Sequence, residues 1–363
     1  MASAAFGRKI GPIATQHVFL IPGFFGFVNF GRLIYFGHVR DYLEDAFARE
    51  GLAVEIHRVR VGPTSSLRVR ATQLLQFVHE AAPEGAPLHF IGHSTGGLDA
   101  RLLVSPGLSL DAELDPEPIA RRVRSIVTIA SPHRGTPLAD FFSSLMGQQV
   151  LRLISLGTIT VLRHGRLPVG LLARAAAAVT GLALRRSSPP RALLDHLESE
   201  LLGKLGEDRV HQFVADVHGD QTLMPQLTPA SMDVFDAATG DRDAVSYACV
   251  TSAAKPPRFG GRFALGAHPW SQATYSLYGW LYRRVGEGDG IVPLASQRHG
   301  ELLHHARGDH LDIIGHFHGP DHRPPHTDWL ATGSGFDRAQ FDALWTQVAR
   351  FIAQRARASE QRT

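Results

Sequence analysis

The chain has 363 residues, of which 44% are hydrophobic and 20% are charged, and this composition is typical of a globular protein. A formal net charge of +3, with arginines scattered along the chain, argues against a nucleic-acid partner. The single cysteine, Cys249, permits no internal disulfide. The length is compatible with one large domain, and we therefore expect residues 1–363 to form a single domain.

Short apolar runs alternate with segments of helical periodicity along most of the chain. Strands are predicted at residues 17–24, 53–61, 87–94, 124–131 and 246–253, and helices at 31–51, 66–85 and 336–358. This alternation predicts an α/β fold with a mostly parallel sheet that is flanked by helices on both faces. At about 141–215 it gives way to a helix-prone stretch rich in leucine and alanine, which we interpret as an inserted helical cap or lid.

The most apolar stretch, residues 167–184, is interrupted by Pro168, Gly170, Arg174 and Gly181, so it is not predicted to span a membrane. The first residues lack the basic segment and continuous apolar run of a secretory signal peptide. The expected location is therefore cytoplasmic by default, with export by another route left open.

Ser94 lies in a Gly-x-Ser-x-Gly pattern within "LHFIGHSTGGLDA", residues 88–100. A predicted strand precedes it and a helix-compatible segment follows it. A serine on such a sharp strand-to-helix turn is typical of a catalytic nucleophile, and Gly92 and Gly96 allow neighbouring chain to pass close by. The alternative interpretation is a simple N-cap of the following helix.

A serine nucleophile requires a histidine to accept its proton and an acid to orient that histidine. Downstream, "GEGDGIVPLASQRHG" and "GDHLDIIGHF" supply Asp289 and then His310, in the chain order of α/β-hydrolases. Seven further histidines lie in this region, and we interpret most of them as solvated: His299, His304, His305, His316, His318, His322 and His326. The competing acids are Asp309, Asp312 and Asp321, of which Asp312 is also suited to ordering the loop of His310.

The negatively charged oxygen of a tetrahedral intermediate needs two N–H donors. The segment "LIPGFFGF", residues 20–27, provides a loop after the first strand, in which Gly23 and Gly26 permit close backbone approach. We predict the backbone N–H groups of Phe24 and Thr95 as the oxyanion-hole pair.

Four segments of the chain together resemble the bacterial true lipases, the Pseudomonas and Burkholderia triacylglycerol lipase family of α/β-hydrolases. They are "VFLIPGFFGF" with the following "IYFGHV", "IGHSTGGLDAR", "VTIASPHRGTPLADFF", and the pair "GDGIVPLASQRHG" and "GDHLDIIGHF". The resemblance implies a triad of Ser94, Asp289 and His310, with Phe24 and Thr95 in the oxyanion hole. It also implies an acyl-ester or lipid substrate, and the helices at about 141–215 take the place of the family's lid. These helices either present an apolar face to a lipid interface, as in a lipase, or pack as a cap that does not open at an interface, as in an esterase.

The same resemblance implies a structural calcium ion near the catalytic histidine, where Asp312 matches one ligand position. Calcium requires several oxygen ligands, but His316 stands where an amide side chain is usual. No aspartate occurs between Gly261 and Glu287, where a further ligand is expected. No metal or cofactor is therefore predicted. The histidine-rich stretch 316–326 has the composition of a metal site, but its prolines favour a solvated loop.

These features predict a serine carboxylic-ester hydrolase of lipase type. An acyltransferase with the same triad, or an inactive binding protein with the same fold, are the alternatives that the sequence leaves open. It also leaves open the acyl-chain length and the oligomeric state.

Overall fold

Alternation of strand and helix along the chain produces one sheet of six parallel strands in the computed structural model. The structure describes residues 14–24, 35–110, 113–143, 217, 219–257, 269–317, 330 and 332–360. The strands are β1 (Gln16–Ile21), β2 (Val54–Arg58), β3 (Leu88–His93), β4 (Val123–Ile129), β5 (Ser246–Ser252) and β6 (Glu301–Ala306).

The described helices follow the same alternation. They are α1 (Val39–Arg49), α2 (Leu67–Ala81), α3 (Thr95–Val104), α4 (Glu117–Ala120), α5 (Pro137–Ser143), α6 (Leu223–Gln226), α7 (Pro229–Ala238), α8 (Pro269–Val285) and α9 (Arg338–Glu360). Two short 3-10 turns, Leu294–Ser296 and Asp312–Ile314, lie between α8 and α9.

The order of strands across the sheet is β2-β1-β3-β4-β5-β6. After β1 the chain crosses to β2 on one side, and it then returns past β1 to β3 on the other side. This reversal opens a crevice beyond the carboxyl ends of β1 and β3, which is where ligands bind in open α/β sheets. The fold therefore brings the segment after Ile21 next to the segment after His93.

Alternate residues of the strands form two separate cores on opposite faces of the sheet. Val18 and Leu20 of β1 face a core that α1 and α9 complete, with the buried Trp345 of α9 at its centre. Phe19 and Ile21 face the other core, which α2 and α3 cover. Burial on both faces explains why the predicted strands are continuous apolar runs.

The predicted α/β fold is confirmed, and each predicted strand overlaps an observed one. The helix predicted at 31–51 begins only at Val39 within the described residues, because His38 has a left-handed backbone with φ 59°. Helix α8 was not predicted. The predicted cap at about 141–215 lies outside the described residues except for 141–143 at the end of α5.

Among the helices of the described part of the chain, none combines the length and the apolar composition needed to cross a membrane.

Candidate active site

Ser94 occupies the turn between β3 and α3 with an unusual backbone conformation, φ 55° and ψ −126°. A non-glycine residue with positive φ stores strain, and such residues cluster at functional sites. The backbone N–H of Ser94 donates to the carbonyl oxygen of Ile129, the last residue of β4, at 2.8 Å. The turn is therefore fixed to the neighbouring strand at the carboxyl edge of the sheet.

The glycines around Ser94 are required by close packing of backbone. A Cβ atom on Gly92 would overlap the backbone of Gly96 and Gly97, and one on Gly96 would overlap the carbonyl group of Ile21. A Cβ on Gly23 would lie 2.5 Å from the Cβ of Ser94. The chain after β1 thus passes directly against the serine, as the predicted oxyanion loop requires.

His310 and Asp289 come together although 21 residues separate them in sequence. Nδ1 of His310 lies 2.7 Å from Oδ2 of Asp289, and the backbone N–H of His310 donates to the Asp289 carbonyl oxygen at 2.9 Å. Because an ionised carboxylate only accepts hydrogen bonds, Nδ1 carries the proton. Nε2 of His310 is then the nitrogen that can accept a proton.

The carboxylate of Asp289 is fully buried and held from several directions. Its Oδ1 accepts from the backbone N–H groups of Ile291 at 3.0 Å and Val292 at 2.7 Å. Its Oδ2 also accepts from the side-chain amide of Gln297 at 3.2 Å. These hydrogen bonds fix the carboxylate and compensate for its loss of water.

His93, which immediately precedes Ser94, connects this turn to His310. Its Nε2 lies 2.9 Å from the carbonyl oxygen of His310, and the two imidazole centroids are 4.5 Å apart. Burial lowers the pKa of His93 well below its usual value, with the nearby His310 as a further cause. A neutral His93 therefore donates from Nε2 and accepts at Nδ1.

The acceptor nitrogen of His93 meets a buried tyrosine. The Tyr35 hydroxyl lies 2.6 Å from Nδ1 of His93 and accepts the backbone N–H of Gly23 at 2.9 Å. Burial raises the pKa of Tyr35, so its hydroxyl keeps the proton that it donates to His93. A continuous chain of hydrogen bonds thus runs from Gly23 through Tyr35 and His93 to His310.

A buried arginine fixes the start of the loop that contains Phe24. Arg70 of α2 donates to the Pro22 carbonyl oxygen at 2.7 Å and to that of Gly62 at 2.6 Å. Its guanidinium also pairs with both carboxylate oxygens of Asp99 on α3. The predicted oxyanion residues, Phe24 and Thr95, directly follow the two residues that contact each other here, Gly23 and Ser94.

The two competing acids within the described residues serve the local loop. Asp309 accepts through Oδ1 from the N–H groups of Leu311 and Asp312, both at 3.0 Å. Asp312 accepts from the N–H of Asp309 at 2.9 Å and from the Ser334 hydroxyl at 2.6 Å. Asp312 therefore orders the His310 loop, as the local interpretation predicted. Asp321 lies outside the described residues.

The surroundings of Asp312 do not fit the calcium ion that the resemblance implies. Calcium requires six to eight oxygen ligands, whereas Oδ2 of Asp312 already accepts from the N–H of Asp309 and from the hydroxyl of Ser334. His316 is buried, not solvated as predicted, and its Nε2 donates to the Tyr35 carbonyl oxygen at 2.7 Å. An imidazole engaged in this way is no substitute for an oxygen ligand.

Several residues of the site were missed by sequence reasoning. The sequence alone assigns no function to His93, which lies in the serine motif, or to Tyr35, which lies in a segment that resembles the lipases. It predicts no role for Arg70 or Gln297 either. The hydrogen bonds that involve them join residues up to 217 positions apart. The spacing of residues along the sequence does not indicate contacts between such distant positions.

Comparison with solved structures shows which fold this arrangement belongs to. The chain is similar to Staphylococcus hyicus lipase, with TM-score 0.53 and 18% identity over 98% of this chain and 99% of that one. It is also similar to lipase 1 from Pelosinus fermentans, with TM-score 0.54 and 18% identity over 94% and 99% of the two chains. The chain has an α/β-hydrolase fold.

A metagenomic carboxyl esterase is a further structural neighbour, with TM-score 0.51 and 18% identity over 96% of this chain and 80% of the other. Neither a protein-family model nor a curated protein sequence matches the chain. At these identities the similarity is one of fold, and the chemistry has to be argued from the site itself.

Proposed function

We propose that this protein is a serine carboxylic-ester hydrolase that cleaves acyl esters through an acyl-enzyme. The observation that carries the proposal is the meeting of a strained serine turn with a buried histidine–carboxylate pair. Ser94 follows His93, which contacts His310, and His310 is 2.7 Å from Asp289. Structural neighbours that are lipases and a carboxyl esterase support the same reaction class.

In the proposed reaction, Oγ of Ser94 attacks the ester carbonyl carbon while Nε2 of His310 accepts the hydroxyl proton. The tetrahedral intermediate expels the alcohol, which takes that proton, and leaves an acyl group on Ser94. Water then attacks the acyl-enzyme, again with His310 as the base, and the carboxylic acid is released. Asp289 keeps the proton on Nδ1 and stabilises the imidazolium that forms in both steps.

We assign oxyanion stabilisation to the backbone N–H groups of Phe24 and Thr95. Thr95 is the first residue of α3, so its N–H lies at the positive end of the helix. Phe24 follows Gly23, which packs on Ser94. Loss of one such donor typically lowers kcat by about 100-fold to 1000-fold.

For the substrate we propose an ester of a fatty acid, of glyceride type, in keeping with the sequence resemblance to triacylglycerol lipases. The predicted cap, at about 141–215, is the segment expected to contact a lipid interface. The proposed chemistry itself requires no metal ion or organic cofactor, because nucleophile, base and oxyanion donors all come from the chain.

Labelling with a fluorophosphonate tests the nucleophile directly. We expect labelling at Ser94, and loss of both labelling and p-nitrophenyl butyrate hydrolysis in Ser94→Ala, by on the order of a millionfold in kcat. Ser109→Ala, which alters an exposed serine, is the matched control and should keep full activity. Ester turnover that survives in Ser94→Ala would contradict the proposal.

A second experiment tests the reaction and the substrate class. Hydrolysis of p-nitrophenyl esters of increasing chain length, and of a triglyceride emulsion, should favour long chains and rise above the solubility limit. Preference for short, dissolved esters would contradict the glyceride assignment while leaving ester hydrolysis intact. Acyl transfer to an added alcohol that exceeds hydrolysis would instead identify an acyltransferase.

A further inference from the structure

Three side chains able to bind a metal ion lie together on β1 and β2, outside the candidate active site. Nδ1 of His17 is 3.0 Å from Nε2 of His57. Carboxylate oxygens of Glu55 lie 3.8 Å from the His17 nitrogen and 3.9 Å from the His57 nitrogen. One ligand atom from each of the two imidazoles and the carboxylate thus lies within 4.8 Å of the other two.

The parallel register explains how this cluster arises. His17 of β1 is paired with Glu55 of β2, and His57 lies two residues further along β2. Because side chains alternate between the faces of a strand, Glu55 and His57 share a face. Both strands are regular here, so the backbone places the three residues side by side on one face of the sheet.

The two rings meet edge to edge and nearly in one plane. Their planes differ by 9°, and their centroids are 5.2 Å apart although the facing nitrogens are only 3.0 Å apart. In the metal-free protein one of these nitrogens carries a proton and donates a hydrogen bond to the other. If that donor ring moves its proton to its far nitrogen, both facing nitrogens become ligands.

The spacing of the three ligand atoms suits a tetrahedral zinc ion. Zn–N bonds of about 2.0–2.1 Å and Zn–O bonds of about 2.0–2.2 Å place tetrahedral ligands about 3.3–3.5 Å apart. The two nitrogens are 3.0 Å apart, and the two carboxylate oxygens of Glu55 lie 3.8 Å from the His17 nitrogen and 3.9 Å from the His57 nitrogen, so small side-chain shifts bring one oxygen to that spacing. The Glu55 side chain is 60% exposed and free to make such a shift.

The chemistry of the three side chains suits a cation. Glu55 supplies the one negative charge of the cluster, and the two imidazoles supply nitrogen ligands. A metal binds imidazole in its neutral form, so binding of the ion releases any proton held by a facing nitrogen.

We propose that His17, Glu55 and His57 form a binding site for a divalent transition-metal ion, Zn²⁺ in the first instance. Two imidazoles and a carboxylate match zinc, whereas calcium and magnesium prefer all-oxygen sites. The site lies near the start of β1, whereas Gly23 and the candidate active site lie beyond its end. The ion joins β1 to the edge strand β2 and stabilises the fold without entering the proposed reaction.

Calorimetric titration of the chelator-treated full chain with Zn²⁺ tests this site. We expect one tight site, a rise in Tm with zinc, and no comparable effect of Ca²⁺ or Mg²⁺. Glu55→Gln and the double variant His17→Gln/His57→Gln should weaken binding by about 100-fold or more, since loss of even an outer-shell partner costs about 10-fold to 100-fold. Bound Co²⁺ should show the strong visible absorption of tetrahedral coordination.

Glu113→Gln and His79→Gln remove an exposed carboxylate and an exposed imidazole elsewhere, and both should bind zinc as the unchanged protein does. Glu55 is an exposed side chain, so Glu55→Gln keeps the test valid if the double variant fails to fold. Absence of zinc binding would overturn the proposal. Zinc affinity in Glu55→Gln and in the double variant that equals that of the unchanged protein would also overturn it and would place the ion elsewhere, for instance in the histidine-rich stretch 316–326.

Discussion

Gln297 donates its side-chain N–H to Oδ2 of Asp289 at 3.2 Å, the same oxygen that contacts His310. The Gln297 amide also pairs with both backbone groups of Ser252, at the end of β5. Gln297 therefore fixes the position of the Asp289 carboxylate relative to the sheet, and its hydrogen bond stabilises the negative charge of that carboxylate. It is a positioning residue in the proposed reaction.

Gln297→Met, which keeps the side-chain length but removes these hydrogen bonds, should lower kcat by about tenfold or more, because small displacements of a catalytic group are costly. KM should change less. A drop in kcat with little change in KM is the result expected of a residue that positions the catalytic pair and does not touch the substrate. Initial rates on p-nitrophenyl butyrate measure both effects.

Gln76→Met, an exposed change on α2, is the control and should leave kcat and KM unaltered. A purely structural role for Gln297 predicts lower stability with an unchanged kcat. That result in a folded variant would contradict the positioning role.

The pair of Arg70 and Asp99 supports a second prediction. Both side chains are fully buried, and burial raises the pKa of Asp99 to about 6 despite the adjacent guanidinium. Arg70→Met leaves a buried carboxylate without its partner and should destabilise the fold by about 3–5 kcal/mol. Urea unfolding at pH 7 measures this loss.

The double variant Arg70→Met/Asp99→Leu removes both charges and should recover most of that stability. It still lacks the hydrogen bond from Arg70 to the Pro22 carbonyl oxygen, so the loop of Phe24 is less well fixed. We therefore expect both variants to have a lower kcat than the unchanged protein. Full activity in the double variant would show that Arg70 has no part in holding that loop.

The fold was predictable because its determinants are local. Burial on both faces gives the central strands β1, β3 and β4 nearly continuous apolar runs, and helices of clear periodicity separate the first three strands. The start of α1 was not predictable in this way. Within the described residues the helix begins only at Val39, because His38 has a left-handed backbone, and the periodicity of the segment does not indicate that position.

The candidate site was predictable where a motif or the chain order carries it. Ser94 was found by its strand–turn–helix setting, and Asp289 and His310 by their order downstream. Tyr35 and Gln297 act through contacts with residues remote in sequence or on other elements. The pair of His17 and His57 likewise becomes visible only when the register of β1 and β2 is known.

Buried neutral histidines predict acid sensitivity of the fold. Burial lowers the pKa of His89 to about 3 and the pKa values of His93 and His133 well below 6.5. The unfolded chain binds protons at these positions below about pH 6.5, whereas the folded chain does not. Stability is therefore complete above that pH and is lost as the pH falls toward 3, by about 1.4 kcal/mol per pH unit for each histidine.

His89→Gln tests this relation, because His89 contacts Gln16 and Ser125 near the start of the strands, away from the candidate site. The free energy of unfolding of this variant, measured in urea between pH 7 and pH 4, should fall less steeply by about 1.4 kcal/mol per pH unit. His79→Gln alters an exposed histidine and should keep the original slope. Identical slopes in all three proteins would contradict the assignment to His89.

Tyr35→Phe separates catalysis from stability. The hydroxyl of Tyr35 is the link between the Gly23 N–H and Nδ1 of His93. Its removal leaves two buried groups without that partner, which should cost about 1–3 kcal/mol of stability. It should also lower kcat, because it loosens both the loop that carries Phe24 and the histidine that holds the His310 carbonyl.

Tyr42→Phe is the matched control, since the Tyr42 hydroxyl bonds to Thr346 and to the Asp342 carbonyl oxygen at the contact of α1 with α9. It should lose stability to a similar degree and keep its kcat. Urea unfolding and initial rates on p-nitrophenyl butyrate, measured on both variants, distinguish the two roles. Equal retention of kcat in the two variants would mean that the chain of hydrogen bonds from Gly23 to His310 only stabilises the fold.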